Sequence, residues 1–165
     1  MLRVSCLVLT LICLVTSAAI ANSEWNRRPL KGLRTVEVGI EALSSDAVRA
    51  GLLHSTIVTD VELRLRQAGI AISRAEAYSG SPFLYVRVTV LASSAAQYAY
   101  SVVVELHEPV TLVRDPAVTI RAATWQARGG IATVGSARLS ESVRQRVRDA
   151  VDEFINDYLA VKPKP

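Results

Sequence analysis

Apolar and polar residues alternate with period two over residues 35–42. Val36, Val38, Ile40 and Ala42 fall on one side, with Glu37, Gly39 and Glu41 between them. This pattern predicts a strand with one wet face, which Ser44-Ser45-Asp46 ends. The period then changes. Ile57, Val61, Leu65 and Ala68 lie at helical spacing, with Ser55 placed to cap and Gly69 placed to stop the helix in a left-handed turn. A short strand is expected at residues 70–72 and a turn at Ser79-Gly80-Ser81-Pro82. Next comes a strand over 83–91, with Leu84, Val86, Val88 and Val90 on one face and Phe83, Tyr85, Arg87 and Thr89 on the other. After a small-residue turn at 92–96, a longer strand runs from Tyr98 to Leu106. Pro109 marks a bulge or an edge position. Asp115-Pro116 reads as a turn, 118–127 as a further strand, and 131–134 as a short ambiguous segment. Ser140 is placed to cap a closing helix to about residue 160, with Val143, Val147, Ala150, Val151, Phe154, Ile155 and Tyr158 on its apolar face. Arg148 and Asp152 are spaced on its other face for an i,i+4 ion pair.

The order β-α-β-β-β-β-α predicts an α+β fold. Its economical packing is an antiparallel sheet of about four to five strands with two amphipathic helices on one face. Residues 33–160 are expected to form this single domain. A polar lead-in spans 22–32 and a basic, Pro-containing tail spans 161–165.

Residues 1–21 have a different pattern. Arg3 precedes an uncharged, mostly apolar run, and Ala19-Ile20-Ala21 offers a small-x-small cleavage pattern before polar Asn22. This predicts a signal peptide cleaved after Ala21 and a product exported to the periplasm or the external medium. The alternative is an uncleaved amino-terminal membrane anchor. Lipidation is disfavoured because Ile12 precedes Cys13 and almost no apolar stretch precedes Cys6. Both cysteines of the chain lie in this segment. Cleavage would leave a thiol-free body without a membrane anchor, held by apolar burial alone.

The formal net charge is +4, and Lys and Arg alternate with Asp and Glu rather than forming a tract. That balance argues against nucleic acid as a partner. His54 and His107 are far apart and make no metal-ligand spacing. Glu37 and Glu41 read as solvated. No Gly-x-Ser-x-Gly, Ser-x-x-Lys or phosphate-loop motif is present. No catalytic, metal or cofactor-binding residue is therefore assigned, no cofactor is expected, and the chain is read as a non-enzyme. Tyr98, Tyr100 and Trp125 are the candidate ligand or partner residues, since neighbouring strands bring them together. Packing beneath the helices is the competing role for these rings.

Several motifs resemble those of small bacterial exported envelope proteins. They are the Val-x-Val strand, the helix ending Leu65-Arg66-Gln67-Ala68-Gly69-Ile70, the Thr124-Trp125 pair and the closing Phe-x-x-Asp-Tyr-Leu from Phe154 to Leu159. The element order is also similar to that of the lipopolysaccharide-assembly lipoprotein LptE and the amino-terminal domain of the translocation protein TolB. The resemblance covers residues 33–160 and carries no catalytic residue. It implies an exported scaffold or partner-binding domain, and the expected function is a non-enzymatic envelope protein whose partner is an envelope protein or lipid component. The other expected functions are a small carrier of a lipid or other apolar ligand between sheet and helices, and then an unrecognised enzyme.

Overall fold

A computed structural model describes residues 24–73, 80–94 and 96–162. The leader, its cleavage position and the tail beyond Lys162 lie outside the described residues. The architecture is α+β, with six strands: β1 (Thr35–Ile40), β2 (Ala71–Ile72), β3 (Phe83–Ser94), β4 (Gln97–Leu112), β5 (Asp115–Gln126) and β6 (Ile131–Gly135). The helices are α1 (Ser45–Arg49), α2 (His54–Gln67) and α3 (Leu139–Val161).

The sheet order is β2-β1-β3-β4-β5, and β6 continues the line of β5 along the outer edge of β4. The expected antiparallel sheet is corrected to a mixed one, because β1 runs parallel to both β2 and β3. The reason is the connection. Between β1 and β2 the helices α1 and α2 carry the chain back to its starting end, so β2 enters parallel to β1, and β3 pairs with the other edge of β1 in the same direction. The β3-β4-β5 meander is antiparallel as expected.

One face of the sheet carries the core. Leu84, Val86 and Val88 stand opposite Leu106, Val104 and Val102, all buried. Val38 and Ile40 continue this face across β1. Ile57, Val61 and Leu65 of α2 cover it, as do Val143, Val147, Ala150, Val151 and Phe154 of α3. Each fully buried aliphatic side chain contributes about 1.5–3 kcal/mol.

Polar groups set the seam between α2 and α3. Arg64 Nη1 donates to both Asp152 oxygens at 2.6 and 2.7 Å, and Arg144 grips Asp60 through Nε and Nη2 at 2.8 and 3.1 Å. The expected Arg148–Asp152 pair does not form. Arg148 instead reaches Glu141 at 2.6 Å and Asp60 at 3.6 Å, because the seam offers carboxylates from a second helix.

The helix stop at Gly69 is as expected. Its φ is +73°, and the Ile70 amide donates to the Leu65 carbonyl at 2.9 Å while Ile70 itself is buried. The expected caps differ. α2 follows Leu53 without a side-chain cap, and Ser140 lies inside α3, where its hydroxyl reaches the Gly51 carbonyl at 3.4 Å. Ser44 caps the unanticipated α1 through the Ala47 amide at 3.3 Å.

The described part of the lead-in packs against the domain. Residues 24–27 are helical, a 3-10 turn follows at Arg28–Leu30, and Leu30 is buried in the core. Asp115-Pro116 is not the hairpin turn, which falls at residues 113–114. Residues 116–118 of β5 have no counterpart between the Thr111↔Thr119 and Leu112↔Asp115 pairs, so Pro116 sits in a bulge. Pro109 lies beyond Phe83, where β3 begins opposite His107, so among the described strands β4 pairs there with β5 alone.

Candidate functional site

Trp125 stands opposite Leu106 on the helix-covered face and is buried. Its ring meets Phe154 edge-on, with centroids 5.1 Å apart and planes at 73°. Its indole Nε1 donates to Asp157 Oδ2 at 3.0 Å, and Arg27 Nε donates to Asp157 Oδ1 at 2.6 Å. Tyr98 and Tyr100 lie on the same face, partly buried against the core, beyond Val102 and opposite β6. The structure therefore separates Trp125 from the two tyrosines along β4, and all three rings join the packed side.

A cavity of about 910 Å³ opens where the edge of the sheet breaks between β5 and β6. Trp25, Asn26 and Arg27 wall one side, residues 126–129 another, and Asp149, Asp152, Glu153, Asn156 and Asp157 of α3 the third. Its carboxylates are engaged with the protein. Asp152 binds Arg64, Asp157 binds Arg27 and Trp125, and Glu153 accepts the Arg128 amide at 3.2 Å. The cavity lies at the rim rather than between sheet and helices.

The histidines are also engaged. His54 Nε2 donates to the Ile40 carbonyl at 3.1 Å, tying the end of β1 to the start of α2. His107 Nε2 donates to Glu105 Oε2 at 2.8 Å on the helix-free face. There Tyr85 packs against His107 with centroids 5.3 Å apart, and against Phe83 at 6.3 Å with planes 29° apart. The Tyr85 hydroxyl donates to Glu41 Oε2. Glu37, expected to be solvated, is buried at 5 % exposure, opposite Phe83. Gly39 makes room for this cluster, since a Cβ there would lie 2.0 Å from Phe83 Cζ. The period-two pattern placed these residues on one face, but the pairing across β1, β3 and β4 was not legible in it.

The Glu41 hydrogen bond, and then burial, raise the Tyr85 pKa above its ordinary value. The folded state thus favours the protonated phenol. This stabilisation is complete below about pH 10, the unfolded value, and is lost as pH rises through the raised folded value. Tyr85→Phe is expected to show a shallower alkaline loss of thermal stability than the parent chain, measured by calorimetry from about pH 8 to 11. Equal slopes would count against this linkage.

The second feature is a two-stranded ribbon. Beyond Phe83, where β3 begins, residues 108–112 of β4 and the start of β5 project from the sheet. Val110 and Ile120 face each other across it, with Leu112, Val113 and Val118 towards its end. Val113 is fully exposed, Ile120 is 45 % exposed and Val118 39 %. No described strand pairs with the outer edge of β5. The ribbon was missed in the sequence because its branched residues look like those of a strand inside a sheet.

Among the described residues, no helix is long and apolar enough to cross a membrane, and no group of three or more His, Cys, Asp or Glu is arranged to hold a metal ion. No protein-family model matches the chain, and no curated protein matches it. Among solved structures, a minor lipoprotein from Acinetobacter baumannii is similar with a TM-score of 0.34 and 14 % identity, over 78 % of this chain and 94 % of that one. A likeness at that TM-score carries no argument about fold or function, and these comparisons do not establish the expected likeness to LptE or TolB.

Proposed function

We propose that this chain is an exported, non-enzymatic envelope domain that binds another envelope protein through the β4–β5 ribbon. The observation that carries this reading is the exposed cluster of Val113, Val118 and Ile120 on a ribbon with an open strand edge. A two-stranded ribbon is marginal in water by itself, and an open edge beside apolar side chains is a template for strand addition. A partner segment laid along β5 would pair with its backbone and cover Val118 and Ile120. Export rests on the leader pattern of residues 1–21.

Site-specific photocrosslinking in the native host tests the ribbon. A photoreactive residue at Val118 or Ile120 is expected to capture one discrete envelope protein. The same probe at Leu63, an exposed apolar position on α2, is expected to capture none. Equal adducts at all three positions, or none at the ribbon, would remove the proposal.

A further inference from the structure

The helix-free face carries three rings in a row across two strands. Phe83 stands directly opposite His107, and Tyr85 touches both rings. Each ring is held in place. Phe83 occupies the space left by Gly39, Tyr85 is tied to Glu41, and His107 is tied to Glu105. Rings fixed in this way lose little side-chain freedom when a ligand stacks on them, which lowers the cost of binding. The three ring side chains are half-buried, and the carboxylates bonded to Tyr85 and His107 are hydrogen-bond acceptors. A carboxylate offers about four lone-pair sites, and the Tyr85 and His107 bonds to Glu41 and Glu105 engage one oxygen of each. Exposed Arg87, two residues beyond Tyr85 on the same face, adds donors.

This chemistry selects among ligands. Carboxylates beside the rings repel a phosphate backbone, and the polar margin does not suit an acyl chain. A pyranose ring fits both parts, because its C–H face can lie on the aromatics while its hydroxyls donate to Glu41 and Glu105 and accept from Arg87. We propose that this face is a stacking site for a neutral sugar ring of an oligosaccharide. The ring cluster adjoins the base of the ribbon at His107 but uses none of its residues, and the sugar titration tests it without a protein partner.

Titration of the full, exported chain with cellotriose, maltotriose and triacetylchitotriose, followed by NMR of the aromatic side chains, tests the site. At least one probe is expected to give saturable shifts at Phe83, Tyr85 and His107. Tyr85→Leu, which keeps an apolar side chain but removes the π face, is expected to weaken binding about tenfold or more. Tyr85→Phe keeps the ring and is expected to stay within about threefold. Thermal melts establish that both variants are folded. The proposal is overturned if no probe gives saturable shifts up to about 20 mM, far above useful affinity. It is equally overturned if the shifts survive Tyr85→Leu, or map to the cavity beside Trp25.

Discussion

Phe154→Ala is expected to destabilise the domain by about 3–5 kcal/mol, the range for deleting a buried aromatic ring. Phe154 is fully buried on α3, and its ring closes the core against the edge of Trp125. Removing it leaves a cavity beneath a helix already held in register by Arg64–Asp152 and Arg144–Asp60. Those ion pairs resist the collapse that would refill the space. Denaturant unfolding checks the result, and a loss below about 1 kcal/mol would mean that the two helices do not clamp the core. Phe154→Leu should recover most of the loss, because it restores apolar volume without the edge-on contact.

The second large effect is expected at Asp157. This carboxylate is 8 % exposed and accepts from Trp125 Nε1 and Arg27 Nε, so it joins the lead-in, β5 and α3. Asp157→Ala leaves the indole N–H without its partner and removes the counter-charge of Arg27. The cost is about 2–4 kcal/mol, dominated by the unsatisfied buried donor, because Arg27 can turn towards water. Asp157→Asn retains an acceptor for the indole and should lose less. Hydrogen exchange separates the contributions: Asp157→Ala is expected to open residues 24–30 as well as lower global stability, while Arg27→Ala opens the lead-in with a smaller global cost. Identical global losses for Asp157→Ala and Arg27→Ala would refute the dominance of the indole bond.

Asp157 and the lead-in are joined by contacts that no local pattern encodes. Residues 22–32 have no periodicity, so nothing local marked them as structured. The order of residues 24–32 comes from contacts far along the chain, with Leu30 in the core and Arg27 on Asp157. Asp157 lies in the closing Phe-x-x-Asp-Tyr-Leu motif, and nothing local marks it as the acceptor for Trp125 and Arg27. The helix stop at Gly69 was legible because its physics lies within the sequence Leu65 to Ile70. Arg148 was misread for the opposite reason, since the i,i+4 option on its own helix competes with Asp60 on another.

The candidate sites show the same division. Tyr98, Tyr100 and Trp125 are recognisable as aromatics of neighbouring strands, and parity puts Tyr98 and Tyr100 on one face, but the face of Trp125 depends on the β4–β5 register. Which face the helices cover, and so which rings are buried, could not be read from parity alone. The helix-free cluster needs Gly39, Glu41, Tyr85, His107 and Glu105 from three strands to come together. The ribbon needs β4 to run on past the start of β3.

By itself the sequence determined the α+β class, the amphipathic faces of α2 and α3, and the helix stop, because each depends on residues a few positions apart. It also placed the only cysteines in the leader-like segment. Tertiary structure alone decided the parallel placing of β1, the cross-helix ion pairs, the burial of Trp125 and the projection of the ribbon. These depend on which strand lies beside which and where each one ends. Strand adjacency is set by connections and long-range burial, and no local hydrophobic period encodes it.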